Sequence, residues 1–326
     1  MKKSRKSKSS TSNRKKKIES PYPAGSLLCI EHLSDKDISS ILARAAQMQK
    51  ARPAALARRC VGKRVGLLFY ESSTRTRVSF EFAAKALGAI TTIVNTGSSS
   101  IEKGESLVDT GITLMSAGCD AIVLRHPNSG APYLLAREID VPVINAGDGM
   151  HEHPSQALLD AYTILQHRKT LRGLRVVIVG DILHSRVARS NVHLLSKMGA
   201  TTFLTGPPEL LPEVASTLAP STVVERDFDS ALSGADVVMM LRIQKERLSG
   251  LSVDLDDYIR KYQLNQERLQ RLAPTALVMH PGPMIRGLEI TSEVADGPRS
   301  LIPVQVKNGV AIRMALIERA LLGASR

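Results

Sequence analysis

Two periods of apolar and polar residues alternate along most of this chain. Short runs of aliphatic and β-branched residues, "RVGLLFY" (64–70), "AITTIVN" (89–95), "DAIVLR" (120–125) and "VPVINA" (141–146), predict strands. Amphipathic stretches separate them and predict helices over 75–88, 105–117 and 131–138. An earlier helix is announced by "SDKDISSILARAAQMQKA", where Ser34 and Asp37 have capping-box spacing and Ile38, Ile41, Leu42 and Ala45 share one face. "HPSQALLDAYTILQHR" repeats Leu158, Leu159, Tyr162 and Leu165 at helical spacing.

"KTLRGL" breaks this rhythm, and a second series follows. "RVVIVGD" is a short, wholly apolar run, as expected of a strand buried on both faces. A helix is predicted over 186–199, then strands at "TTFLTG", "STVVE", "DVVMML" and "TALVMH" with helical segments between them. The last stretch, "VQVKNGVAIRMALIERALLG", predicts a helix long enough to pack across domains. Alternating strand and helix implies an α/β protein with two doubly wound parallel-sheet domains and an active site in the cleft between them. The boundaries expected are a basic tail over 1–20, a first domain over 21–169 with the C-terminal helix 303–323 packing back on it, and a second domain over 170–302.

Composition changes this picture at one end. Residues 1–17 hold nine Lys or Arg and no acid, so nine of the thirteen net positive charges sit there. With no apolar residue after Met1, the segment reads as a disordered, solvated basic arm. An organelle transit peptide shares its basic, Ser-rich composition but would carry an amphipathic apolar face, and a secretory signal would carry an apolar stretch. Aromatics make up 3% of the chain, which argues against a stacking surface for single-stranded nucleic acid. Cys29, Cys60 and Cys119 are sparse and widely spaced, as expected of reduced thiols in a cytoplasmic compartment. His151 and His153 lack the further ligands of a zinc set, so no metal is expected, and no apolar run is long enough for a membrane helix.

The chemistry-bearing residues collect where strands end. "ESSTRTR" (71–77) packs two Arg, two Thr and two Ser between a strand and a helix. Unpaired N–H groups and the dipole of a helix N-terminus, with Ser73, Thr74 and Thr76 as hydroxyl donors and Arg75 as a planar fork, make a phosphate cradle. A plain N-cap with a solvated Arg is the alternative, since Ser and Thr are common at helix starts. "SSSIEKGES", "RHPNSG", "NAGDGMHEHPSQ", "GDILHSR", "RIQKER" and "HPGPMIRG" follow other strands. A dinucleotide fingerprint fails, because "DILHSR" follows Gly180 without the required glycines, and neither a Walker A motif nor HExxH is present.

Taken in order, "STRTR", "KGES", "RHP", "HPSQ", "VGD…SR", "RIQKER" and "HPGP" resemble the catalytic chains of the aspartate carbamoyltransferase family, from about residue 30 onward. The resemblance implies transfer of the carbamoyl group of carbamoyl phosphate to the amine of L-aspartate, the committed step of pyrimidine synthesis, with no metal or organic cofactor. It implies Ser73, Thr74, Arg75 and Thr76 as the carbamoyl phosphate cradle, with Arg125, His153, Gln156 and the backbone of Pro281 and Gly282 as further contacts. Thr76, Arg125 and His153 would surround the carbonyl oxygen. Ser99 and Lys103 match residues inserted from the neighbouring subunit of a trimer, Lys103 reaching both substrates. Arg186, Arg242 and Gln244 match aspartate-binding positions, and Glu71 matches a residue that bridges to Arg186 and Arg247. A higher assembly with regulatory or dihydroorotase chains is a further partnership that the resemblance allows.

Each position also has a bland reading: His153 as a core histidine, Lys103 as a solvated loop residue, and Ser98 or Ser100 in place of Ser99. Arg186 at a helix start is electrostatically unfavourable and calls for an anion. Three departures stand out: Glu102 before Lys103, Ile285 after the "HPGPM" stretch, and the basic tail. An ornithine-specific relative would carry "SMG" and "HCLP" where this chain has "RIQKER" and "HPGP", and Arg242 would repel a cationic substrate. A nucleic-acid module resting on the tail, or a catalytically silent assembly partner, are the rival classes; the intact motif positions argue against the latter.

Overall fold

The computed structural model describes residues 20–95, 104–243 and 254–323. The basic tail, Ser99, Lys103, Glu102, Gln244 and Arg247 therefore lie outside the described residues. Two helices, α1 (Asp35–Lys50) and α2 (Pro53–Leu56), precede the first sheet. Ser34 caps α1 in a full capping box with Asp37, and Ile38, Ile41, Leu42 and Ala45 are buried as the periodicity requires. The single turn of α2 was not foreseen, because four residues show no period; Pro53 at its first position presets the backbone.

The first sheet contains β1 (Arg64–Phe69), β2 (Ile90–Asn95), β3 (Ala121–His126) and β4 (Val143–Asp148), all parallel, in the order β2-β1-β3-β4. Its crossovers are α3 (Thr74–Ala86), α4 (Leu107–Ser116) and α5 (Ala131–Glu138). After α6 (Pro154–His167), the second sheet takes up β5 (Arg175–Val179), with α7 (Arg186–Lys197) leading to β6 (Thr201–Thr205) and β7 (Thr222–Val224). Next come α8 (Phe228–Leu232), β8 (Val237–Met240), α9 (Leu255–Tyr262), α10 (Gln266–Leu272), β9 (Leu277–Met279) and α11 (Ser292–Ala295). The order is β7-β6-β5-β8-β9, again parallel throughout. Parallel strands covered on both faces need continuous apolar runs, and β5 and β8 supply them.

The last helix among the described residues is α12 (Ile302–Leu322), which packs on α1, α3 and α6 beside the first sheet. Lying among α1, α7 and α12, α6 is buried from Pro154 to Ile164 rather than along one face.

Each sheet winds outward in one direction and then reverses. The first reverses between β1 and β3, the second between β5 and β8. At such switch points the loops leaving the strands diverge and open a crevice at their carboxyl ends.

Candidate active site

The loops at the two switch points face each other across a cavity of about 500 Å³. Its wall takes Glu71 to Thr76 after β1, Arg125 at the end of β3, Asp181, His184, Ser185 and Arg186 after β5, and Arg242 after β8. His153 and Gln156 come from the start of α6, and His280 to Pro283 from the end of β9. Arg75, Arg125, Arg186, Arg242 and Arg313 stand against Glu71 and Asp181, so cationic side chains outnumber acids in the lining. A cleft with one sign of charge and low-dielectric walls concentrates anions.

Ser73 is the N-cap of α3, accepting at its Oγ from the Thr76 N–H at 3.4 Å. The cap of the bland reading is present, and the same residue also lines the cavity. Thr76 is buried behind it. Arg75 Nη1 reaches across the cleft and donates to the Pro281 carbonyl at 2.7 Å. Gly282, at φ +67°, lies under that guanidinium, and a Cβ there would sit 1.5 Å from Arg75 Nη1.

Arg125 is held by Glu71 Oε1 at 2.6 Å and the Ala146 carbonyl at 3.3 Å. Burial, then the charge of Arg186, lowers its pKa to about 10, so it stays cationic at neutral pH. The same Glu71 oxygen accepts from Arg186 Nη2 at 2.5 Å. Burial raises the Glu71 carboxyl, but the hydrogen bonds and charges of Arg186 and Arg125 outweigh it and hold the group below its ordinary value. Arg186, the first residue of α7, is the cation that the helix dipole disfavours, and Glu71 supplies a compensating charge. Arg125 Nε and Arg186 Nη1 are both buried without a hydrogen-bond acceptor among the described residues. Gly147, at φ +115°, lets both guanidiniums close in; a Cβ there would be 3.2 Å from each.

His153 is the N-cap residue of α6 but makes no side-chain cap. Burial, then the charges of Arg125, Arg186 and Arg313, holds its imidazole well below the ordinary value. At pH 7 it is therefore a neutral hydrogen-bonding group, not a cation. Gln156 is oriented by a 2.9 Å bond from its Nε2 to Asp160.

The structure adds residues that sequence reasoning missed. Asp160, fully buried on α6, accepts from Gln156, Asn191 at 2.9 Å and Gln305 at 2.7 Å. Burial raises its pKa to about 6, partly offset by those bonds and by Arg313. Arg313 comes from α12, with its guanidinium 5.0 Å from the Phe80 ring centroid. Burial pulls it down to about 9, Asp160 opposes that, and Arg125 and Arg75 add to it. Its Nε has no acceptor among the described residues. The only sequence signal for either was a lone charge inside an apolar helical run, "ALLDAYTIL" and "VAIRMALI". His280 was in view within "HPGP", but its role was not: Nδ1 accepts from the Gly282 N–H at 2.8 Å, and Nε2 faces Glu289 Oε1 at 3.1 Å.

Of the residues singled out from sequence, Ser73, Thr74, Arg75, Thr76, Arg125, His153, Gln156, Arg186, Arg242, Pro281 and Gly282 line this one cavity. Ser99, Lys103 and Gln244 lie outside the described residues. No group of three or more His, Cys, Asp or Glu among the described residues could hold a metal ion.

Residues 26–166 match the family model for the carbamoyl-P binding domain of aspartate/ornithine carbamoyltransferase, and residues 172–320 match that for its Asp/Orn binding domain. The chain is 57% identical to the aspartate carbamoyltransferase catalytic subunit of Koribacter versatilis, covering 91% of this chain and 97% of that one. It is 53% identical to the corresponding subunit of Solibacter usitatus, over 92% of this chain and 99% of the other. Among solved structures, aspartate transcarbamoylase from Trypanosoma cruzi in complex with N-(phosphonacetyl)-L-aspartic acid superposes with a TM-score of 0.84 at 30% identity, covering 92% and 97% of the two chains. Ornithine carbamoyltransferase from Pyrococcus furiosus gives 0.83 at 29% identity, covering 94% and 99%. Backbone likeness alone does not separate the two specificities; the sequence identities do.

Proposed function

The chain belongs to the aspartate/ornithine carbamoyltransferase family, and on that premise we propose how its cleft divides the work of carbamoylating aspartate. The reaction joins the carbamoyl group of carbamoyl phosphate to the amine of L-aspartate and releases phosphate, giving N-carbamoyl-L-aspartate. The observation that carries the residue roles is the shared Glu71. It binds Arg125 at the end of β3 and Arg186 at the start of α7, one arginine from each side of the cleft, and each of them keeps a buried N–H with no acceptor among the described residues.

Phosphate sits on the N-terminus of α3, held by Ser73, Thr74, Arg75 and Thr76. The carbamoyl oxygen lies among Thr76, Arg125 and His153, and the carbamoyl amide meets Gln156 and the backbone of Pro281 and Gly282. As the amine nitrogen bonds to carbon, the carbonyl oxygen gains negative charge, and the three donors around it stabilise that charge. A neutral His153 suits this role, since it offers one directed N–H without needing to be ionised. The C–O bond to phosphate then breaks, Arg75 and Lys103 balance the leaving charge, and the phosphate takes the proton lost by the amine. Arg186, Arg242 and Gln244 bind the aspartate carboxylates. Two anions must share one cleft, so the arginine excess supplies positioning against their repulsion.

Ser99 and Lys103 are donated by the neighbouring subunit of a homotrimer in this reading. Cytoplasmic residence is supported by three buried free cysteines, and no helix among the described residues is long and apolar enough to cross a membrane. The test is turnover of the purified chain with carbamoyl phosphate and either aspartate or ornithine. N-carbamoyl-L-aspartate is expected from the first, with negligible turnover of the second; preference for ornithine would overturn the assignment.

A further inference from the structure

Glu152 carries a buried carboxylate for which the reaction has no direct use. It is 2% exposed and stands beside His153 in the "HEHP" stretch. Its Oε2 accepts two bonds, from the Ile30 N–H at 2.9 Å and from Ser190 Oγ at 2.7 Å. The Ser190 hydroxyl, fully buried, in turn accepts from the His153 N–H at 2.8 Å. One carboxylate oxygen thus ties together the segment before α1, the start of α6 and the first turns of α7. Ser190 lies four residues after Arg186, on the same face of α7.

We propose that Glu152, acting through Ser190, is a positioning residue that sets the spacing of the His153 imidazole from the Arg186 guanidinium. His153 belongs to the carbonyl side of the cleft and Arg186 to the amino-acid side, so this inference rests on the roles given above. α6 and α7 pack against each other, but apolar contact tolerates sliding, whereas a hydroxyl bonded on both sides has one position. Displacing a reacting group by about 1 Å can cost up to about a hundredfold in rate. Burying a carboxylate on two neutral donors is costly, which a merely space-filling residue would avoid. Gln at 152 keeps an oxygen able to accept both bonds.

The variants Glu152→Ala, Ser190→Ala, Glu152→Gln and Glu152→Ala/Ser190→Ala are compared by KM for aspartate, kcat, and inhibition by inorganic phosphate, which probes the α3 cradle. Glu152→Ala and Ser190→Ala are each expected to raise the aspartate KM and lower kcat, with kcat/KM down about ten- to a hundredfold. The phosphate inhibition constant should stay within about twofold, because the cradle is untouched. Glu152→Gln should recover most of the loss, and the double variant should be no worse than the poorer single one. Simple loss of folded enzyme would lower kcat and leave KM alone. An unchanged aspartate KM in folded Ser190→Ala, or additive losses in the double variant, would overturn the proposal. Should Glu152→Ala not fold, Ser190→Ala and Glu152→Gln decide it. His153→Ala and Arg186→Ala serve as controls. If they retain activity, the site roles themselves are wrong; if they lose it while Ser190→Ala does not, the positioning inference alone fails.

Discussion

Single residues in this cleft are paired to their tasks by charge and by space. Arg242 leaves the second sheet, while the proposed phosphate cradle rests on the first. Arg242→Ala should therefore raise the aspartate KM by the loss of a charge-assisted bond, about 1.5–3 kcal/mol, while carbamoyl phosphate binding changes little. Steady-state kinetics with each substrate varied in turn checks this, and equal weakening of both would contradict the division. Gly282 makes a spatial prediction. A Cβ placed 1.5 Å from Arg75 Nη1 must push the guanidinium aside. Gly282→Ala is expected to weaken phosphate and carbamoyl phosphate binding at least as much as aspartate binding, and intact phosphate inhibition would show that Arg75 is not held there. Asp160 makes a prediction about pH. Burial raises its folded pKa to about 6 from an ordinary value of 3.8, so the folded chain binds the proton more tightly than the unfolded one. Stability contributed by this group is then present below pH 4 and lost as pH rises toward 6, by up to about 3 kcal/mol. In thermal melts between pH 4 and 7, Asp160→Asn should flatten that part of the profile; an unaltered slope would place the titration elsewhere.

Among the elements, what was legible in the sequence was whatever is local. The apolar runs of β1, β3, β5 and β8 and the amphipathic spacing of α1 are short-range signals, and both sheets formed from them. Loops after strands could be read as site-forming for the same reason, because parallel topology puts all carboxyl ends on one edge. Short elements were not legible: α2 has a single turn, too little for a period. Nor were Gln305 and Arg313 as cavity-lining residues, or Asp160 as the buried acceptor behind Gln156 and Gln305. They sit in helices whose apolar character spoke only of packing, and Asp160 meets Gln305 across 145 positions of sequence. Such a meeting depends on how α6 and α12 cross, which no local pattern encodes.

At the scale of the whole molecule, the proposed trimer can be tested through the site it shares. Arg75→Ala and Lys103→Ala should each nearly abolish activity alone. A three-fold ring has heterologous interfaces, so in a randomly remixed population about one site in four takes intact Arg75 from one chain and intact Lys103 from the next. Recovery to roughly a quarter of wild-type activity is expected if sites act independently. Verified subunit exchange with no recovery would rule out the composite site and the role of Lys103 with it.

The packing of α12 on α1, α3 and α6 also sets an order of events while the protein is being made. The first sheet and its helices leave the ribosome before the second sheet, yet the helix that covers them follows only after that whole second sheet. Until it arrives, the faces of α1, α3 and α6 that it covers stay open to water and to other nascent chains, a state that invites aggregation and chaperones. The closing contact spans most of the sequence, so its loop-closure entropy makes it a late and slow step. Arg313 can be dehydrated, and the floor of the cleft completed, only then. A fragment of residues 20–170 should accordingly lack protected amides in α3 and α6, and a peptide of residues 302–323 added separately should restore them. Native-like amide protection in the fragment alone would show that the early half finishes without its last helix.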